Sequence, residues 1–367
     1  MRLILKHFDM RLIAIVLSLS VLGLVMLSSI TGANVYGAGT ELKIQMLSLF
    51  LGLVFLSVFL LIDYRILQRF YILIYVFSIL LLLLVYIPGL GVVRNSARSW
   101  IDLGALDFQT SELSKIGFIV FFSAYFDRVR EKINSVFYIL LTLALASPFF
   151  ILLFKQPDFG TMMVFFIIFS GMVFVSNINI KIIIGVLIVG LLSLPLIYAS
   201  LGDYQKARLT SFMNQDGIIT EDNWQVEMSK ITMGSGGAKG NGLYQGGFSK
   251  NNYLPVKTSD FIYPVLVEEL GFVGGMAVIL LYFLMISRCL AISFSAKDKF
   301  GSYIAMGVLF MFVSQIFENI AMTMGLMPVT GITLPFLSYG GSSMLINMIA
   351  VSLLMNIYFR RLKKGAY

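Results

Sequence analysis

Apolar residues in this chain come in long unbroken runs, not in the alternation of half-buried strands or the spaced stripe of surface helices. Ten such runs, 11–31, 42–62, 66–87, 110–126, 136–154, 161–177, 180–200, 261–288, 301–326 and 342–360, are dominated by Leu, Ile, Val, Phe and Met. At about 20 residues each they can cross ~30 Å of hydrocarbon as helices, which satisfy their own backbone there. The pattern predicts an all-α polytopic membrane protein with about ten transmembrane helices, one domain over 1–367 and one long loop, 201–259.

The polar residues between the runs orient the chain. With both termini in the cytoplasm, inside segments hold 16 of 27 Lys+Arg but 5 of 19 Asp+Glu. Because short-loop Lys/Arg bias sets orientation, cytoplasmic termini and an extracytoplasmic 201–259 loop are expected. The net charge of +8 is then mostly topogenic, and nucleic-acid binding is not needed to explain it. No small-residue cleavage pattern follows the first run, so it reads as a retained helix. A single Cys289 and a single His7 exclude an internal disulfide and leave little basis for zinc or haem.

Chemistry gathers on the outer side. The loop 88–109 carries Arg98 and Trp100, which fit either a site or a solvated interfacial belt. It leads into Glu112 and Lys115, which at i,i+3 share a helix face. They form a self-neutralising pair or line a cavity; ionisable groups inside spans tend towards the latter. Lys155-Gln-Pro-Asp158-Phe-Gly160 reads as a tight turn with Asp158 as its turn or cap residue.

In the long loop, Trp224, Met228 and Ile231 at i, i+4, i+7 predict an amphipathic helix lying on the membrane or the bundle. Seven glycines between Gly234 and Gly247 match no nucleotide-binding motif, leaving flexibility or close approach to a ligand. Lys257–Gly271 then brings Asp260, Glu268 and Glu269 into the eighth run. Pro264 suits a first helical turn, so a helix is expected from near Tyr263, with Asp260 at or just before its N-terminus as a candidate cap. Glu268 and Glu269 lie too deep for capping and suggest a polar outer cavity. Residues 325–343, with Pro328, Pro335 and many hydroxyls, read as a re-entrant or lid-like segment. Glu318 and Asn319 add polar groups to the ninth run, and interhelical hydrogen bonding alone accounts for Asn319. No internal repeat supports inverted transporter symmetry.

Five strings carry a family resemblance over essentially the whole chain: Arg98-Ser-Trp-Ile-Asp-Leu-Gly104 with Gln109-Thr-Ser-Glu-Leu-Ser-Lys115; Gln156-Pro-Asp-Phe-Gly-Thr161; Gly234-Ser-Gly-Gly237; Leu254-Pro with Asp260-Phe-Ile and Glu268-Glu-Leu-Gly271; and Pro328 through Ser343. Together they resemble the SEDS family (shape, elongation, division and sporulation) of bacterial peptidoglycan polymerases. Pro328-Val-Thr-Gly331 and Asn214-Gln-Asp-Gly217 with Trp224 favour its RodA-like branch over the FtsW branch. The chain departs from the family at Thr110, where Pro is usual, at Thr258-Ser259, where a His-Thr pair is usual, and at Pro264, where Ala is usual.

The resemblance implies polymerisation of lipid II into β-1,4 glycan chains on the outer face of the bacterial cytoplasmic membrane. It implies Asp260 as the essential carboxylate, with Ser259 as polar support. An inverting displacement at an α-linked pyrophosphate needs one general base. The leaving group departs as an anion, so cations are wanted: Arg98 and Lys115, then Lys155 and Arg208. Glu112 and Asp158 would orient these or hold a divalent cation (Mg2+ or Mn2+), and Trp100, Glu268 and Ser338 complete the candidate substrate site. Expected partners are a class B penicillin-binding protein (a transpeptidase), other elongation-complex membrane proteins and membrane lipid. A lipid II flippase using the same carboxylates is the alternative, opposed by the scarcity of polar groups on the inner half. A scaffold that only recruits a partner leaves the carboxylates unexplained.

Overall fold

The computed structural model describes residues 8–32, 39–94, 97–102, 107–182, 184–185, 188, 206, 221–250, 253–254 and 256–361. The chain is mostly helical. In order come α1 (Met10–Thr31), α2 (Thr40–Leu61), α3 (Arg65–Arg69), α4 (Tyr71–Leu84), strands β1 (Gly91–Arg94), β2 (Ala97–Asp102) and β3 (Asp107–Gln109), then α5 (Thr110–Val129), α6 (Val136–Lys155) and α7 (Phe159–Val175). Within 201–259 lie α8 (Glu221–Ser235) and α9 (Gly247–Lys250), and after it come α10 (Ile262–Ser295), α11 (Lys299–Thr323) and α12 (Gly341–Phe359).

Among the described residues, six helices, α1, α2, α6, α10, α11 and α12, are long and apolar enough to cross a membrane, and α4 and α7 are shorter apolar helices. The run at 66–87 is divided between α3 and α4, and the run at 180–200 lies mostly outside the described residues. Packing is graded from inside to outside. The bodies of α5, α11 and α12 are buried on nearly every face. Helices α2, α4 and α6 instead present Phe50, Leu73 and Phe137 at 63%, 65% and 66% exposure. Large apolar side chains facing outwards while hydroxyls and amides face inwards is the arrangement of a bundle solvated by lipid.

The all-α expectation needs one correction. Residues 91–109 form an antiparallel three-stranded meander in the order β1-β2-β3, with Trp100 opposite both Val92 and Gln109. Its period-two signal is short: Ser99 and Ile101 turn inward, while Arg98 and Trp100 take the other face, half-buried.

The glycine-rich segment is tied backbone to backbone against α10. Helix α10 breaks at Gly271, whose φ of 73° and ψ of −176° no L-residue adopts comfortably. The break orphans backbone groups, and the segment takes them up. Asn241 and Gly242 amides donate to Glu268 and Glu269 carbonyls, both at 3.0 Å; Phe272 and Val273 amides donate to Gly237 and Ala238 carbonyls at 2.9 and 3.3 Å. Side chains would prevent this: a Cβ on Gly236 would stand 2.2 Å from Val267 O, and one on Gly240 2.2 Å from Glu269 O. A glycine splint therefore rejoins a broken helix just beyond Asp260.

Glu268 and Glu269 serve the same splint, which corrects their reading as open-cavity groups. Glu268 Oε1 accepts from the Phe248 amide at 2.7 Å. Glu269 accepts from Ser29 Oγ at 2.5 Å and from the Tyr244 amide at 3.2 Å, tying loop and α1 to α10. At the opposite end the described chain termini meet, with Phe8 and Phe359 rings 5.4 Å apart.

Candidate active site at the loop-rich end

Asp260 lies in the turn leading into α10. Phe261 occupies the N-cap position, and Asp260 immediately precedes it. Its side chain is 8% exposed. Across from it is Gly331, with φ +72°, where a Cβ would stand 3.6 Å from Asp260 Oδ2. Its positive φ, which L side chains rarely adopt, accounts for a glycine there.

The backbone around Asp260 is held by α11 and by the 325–340 segment, which α2 holds in turn. Asn319 Nδ2 of α11 donates to Asp260 O at 2.9 Å and to Ile332 O at 2.7 Å, joining the turn to the 325–340 segment. Ser338 Oγ donates to Ser259 O at 2.6 Å and accepts from the Leu334 amide at 2.9 Å, while the Tyr339 amide donates to Thr258 O at 2.9 Å. Gln45 of α2 grips the same segment at both ends of its amide: Nε2 donates to Ser338 O at 2.9 Å and Oε1 accepts from the Gly340 amide at 3.1 Å. The segment is thus tied to α2, α11 and the Asp260 turn. Sequence reasoning passed over Gln45, although an amide inside an apolar run was a usable signal.

A second group of side chains sits beside this one. Lys115 Nζ donates to Glu112 Oε1 at 2.7 Å, with the two side chains 1% and 6% exposed. Asp158 caps α7 by accepting from the Thr161 amide at 3.1 Å, and its other oxygen takes Gln109 Nε2 at 3.3 Å. Two residues on, a Cβ at Gly160 would stand 2.5 Å from Thr330 O. Thr330 to Ile332 thus bridge the Asp158 turn and the Asp260 turn. Glu318 of α11 is fully buried, lies in the field of Lys115 and Asp158, and neither of its oxygens has a protein hydrogen-bond partner. The same holds for Glu112 Oε2, Gln315, Asn319 Oδ1, Thr161 Oγ1 and Ser111 Oγ. Buried polar atoms without protein partners mark where water or a ligand belongs.

Of the residues expected from sequence, the fold thus gathers Asp260, Ser259, Ser338, Asp158, Glu112 and Lys115. Arg98 and Trp100 stand on β2; the Arg98 amide donates to Gln156 O at 3.2 Å and its buried Nε has no protein partner. Lys155 is exposed at the end of α6, Glu268 belongs to the splint, and Arg208 lies outside the described residues. Lys257, three residues before Asp260, is a cation the sequence reading did not weigh. Burial holds its amine below the ordinary lysine value, against the opposing pull of Glu268.

Long apolar helices, one of them broken at Gly271, around a buried polar cluster define a multi-pass membrane protein. A family model described as a cell cycle protein, covering the FtsW, RodA and SpoVE group, matches residues 10–363. The chain belongs to this family, the SEDS family of the sequence resemblance. It is 34% identical over 364 residues to a probable peptidoglycan glycosyltransferase FtsW of Trichlorobacter lovleyi, covering 96% of this chain and 93% of the relative. It is 35% identical over 357 residues to the stage V sporulation protein E of Bacillus subtilis, covering 95% and 96%. Among solved structures, a chain of a peptidoglycan synthase complex superposes with a TM-score of 0.82 at 27% identity, covering 97% of this chain and 99% of that one. Thermus thermophilus rod shape determining protein RodA superposes with a TM-score of 0.73 at 28% identity, covering 97% and 98%. Both branches of the family are represented among these relatives.

Proposed function

We propose that this chain polymerises lipid II, with Asp260 as general base. The observation that carries the reading is a buried aspartate, 8% exposed, fixed through its own backbone by Asn319 and next to a cluster of buried polar atoms without protein partners. Asp260 takes the proton from the acceptor sugar's 4-hydroxyl as that oxygen attacks the donor's anomeric carbon. The bond from that carbon to pyrophosphate breaks, and undecaprenyl pyrophosphate leaves carrying the electron pair. No general acid is required at the leaving group; fixed positive charge is. Lys115 and Arg98 are the cations assigned to it, with Glu112 holding Lys115 in place. Lipid-facing grooves hold both polyprenyl tails, which keeps the reacting sugars at one depth.

Among the described residues no group of three or more His, Cys, Asp or Glu is arranged to hold a metal ion. Glu112 Oε2 is an unpaired carboxylate oxygen, so a divalent cation would draw its remaining ligands from pyrophosphate and water, as Mg2+ commonly does. The wider reading has ten spans, both termini on the cytoplasmic side of the bacterial inner membrane, and 201–259 outside. The Lys/Arg distribution supports it. A class B penicillin-binding protein is the proposed partner, supported by the likeness to a chain of a synthase complex that couples polymerisation and crosslinking. An elongation role is supported by the likeness to RodA.

The test is polymer formation by the purified chain, with the partner added, from labelled lipid II. Wild type yields glycan polymer and Asp260→Asn yields none at equal protein. Polymer from both would remove Asp260 as base, and lipid movement across liposomes without polymer would favour the flippase.

A further inference from the structure

Helix α8 packs the reverse of a helix on a protein core. The residues it buries completely are hydroxylic: Ser229 and Thr232. Ser229 Oγ donates to Thr323 O at 2.7 Å, and Thr232 Oγ1 to Met228 O at 2.6 Å. Its Trp224 and Ile231, seven residues apart and so on one face, point away from the bundle at 38% and 43% exposure. Of the face expected from sequence, only Met228 turns partly towards the core.

What α8 lies against says what covers that face. Besides Ser229 on Thr323, Val226 and Lys230 flank Gly325, where a Cβ would stand 3.0 Å from Val226 Cγ1 and 3.5 Å from Lys230 Cε. These are the last residues of α11, one of the helices long and apolar enough to span, and the turn after it. That end exposes Phe317 at 59%, Met324 at 37% and Leu326 at 67%. At 1.5 Å per residue, Phe317 is roughly 9 Å below Thr323. An apolar track therefore climbs from hydrocarbon depth to the level of α8. There an indole stands beside an exposed Lys230–Glu227 ion pair, the mixture of amphipathic ring and reaching amine that suits a headgroup boundary.

We propose that α8 is an interfacial anchor, with Trp224 and Ile231 seated at the headgroup–acyl boundary of the lipid leaflet around the loop-rich end. The anchor has a direct mechanical consequence. Helix α8 runs straight into Gly236–Gly242, the splint that rejoins α10 at Gly271. Lipid contact at Trp224 thereby sets the height of the half-helix Ile262–Leu270 that Asp260 heads. On the proposed function, this holds the base at the depth of a lipid-borne sugar; the lipid seat itself does not depend on that function.

Fluorescence quenching in phosphatidylglycerol/phosphatidylethanolamine nanodiscs tests the seat. The chain has two tryptophans, so the difference between wild type and Trp224→Phe isolates the emission of Trp224. It should lose most of its intensity to phosphatidylcholine with a nitroxide high on the acyl chain, less to one labelled near the chain end, and little to aqueous acrylamide. Quenching by acrylamide with none by either lipid overturns the proposal, and so does protection from all three, which would mean a protein covers the face. A second measurement avoids the tryptophans: Ile231→Cys labelled with a polarity-sensitive bimane, Cys289 being fully buried. Blue-shifted emission quenched by the shallow nitroxide supports the anchor; water-like emission counts against it.

Discussion

Two buried asparagines perform the same mechanical task at opposite ends of the bundle. Asn356 donates to Phe59 O and Ile62 O near the chain termini, and Asn319 donates to Asp260 O and Ile332 O at the loop-rich end. They differ in what is left over. Asn356 Oδ1 also accepts from the Tyr64 amide at 3.4 Å and from Arg360 Nε at 3.0 Å, whereas Asn319 Oδ1 has no protein partner. The difference extends to the whole of each end. Near the termini, Asp298 serves Tyr64 Oη, Arg65 Nε and the Gly301 amide, and Asp9 serves Arg288 and the Leu12 amide. Among the described residues, every buried side-chain polar atom without a protein partner lies in the loop-rich half, from Arg98 and Ser111 to Gln315, Glu318 and Asn347. A satisfied end is a clasp, and an unsatisfied one has bonding capacity kept for something else.

The largest effect that separates the ends is on activity. Asp260→Asn keeps size and shape but removes the base, and should lower polymer synthesis by at least about 100-fold. Its unfolding midpoint should stay within error of wild type, measured by heating in detergent. A matched loss of stability would make Asp260 another clasp residue.

Next comes the cost of breaking an ion pair at each end. Lys115→Met strands Glu112 in a site where the two side chains are 1% and 6% exposed; removing one partner of such a pair costs about 3–5 kcal/mol. At the other end Arg65 and Asp298 are 39% and 33% exposed, and solvent screening holds the corresponding Arg65→Met loss below about 1 kcal/mol. Denaturant midpoints of the two variants should therefore differ clearly. Equal losses would mean that water screens Lys115 as it does Arg65.

The asparagines give the matched comparison. Asn319→Leu removes two hydrogen bonds to buried carbonyls and Asn356→Leu removes two to part-buried carbonyls together with those from Tyr64 and Arg360, and each should cost about 2–4 kcal/mol. Only the first loosens Asp260, so only the first should lower kcat beyond what the loss of folded protein explains, with KM for lipid II little changed. A fall in kcat for both would locate the effect in the bundle as a whole.

Much of this was readable along the chain because the signals were local. Apolar length announced a helical membrane protein, Glu112 stood out inside one of the runs, and the family strings pointed to Asp158 and Asp260. What escaped depends on pairing between distant segments. The meander at 91–109 is built from strands of six residues or fewer, too short for alternation to stand out. The splint works through backbone groups, and glycine leaves no side-chain pattern to show which carbonyls it approaches. Gln45 was visible as a lone amide, but its two partners lie some 290 residues further on. Glu268 and Glu269 were noticed as polar groups in a span. Only the fold reveals that the Phe248 and Tyr244 amides occupy them.

Glu318 gives the smallest expected effect and the sharpest test of the contrast between the ends. A buried carboxylate with no protein partner costs stability, in the range of about 1–3 kcal/mol for an unsatisfied group. Replacing the carboxyl group with an apolar side chain of similar size relieves that cost. Glu318→Leu should therefore raise the unfolding free energy by about 1 kcal/mol, a modest gain because some cavity and packing mismatch offsets it. Polymer yield should fall several-fold, the usual exchange when a group kept for function is replaced by one suited to packing. A clasp residue behaves in the opposite way: Asp298→Leu should lose stability because three donors are orphaned. If Glu318→Leu is destabilised as well, the unpaired oxygens are not in reserve and the two ends are built alike. If it is stabilised with full activity, the reserve lies with Glu112, Gln315 and Asn319, and the chamber is smaller than its unpaired atoms suggest.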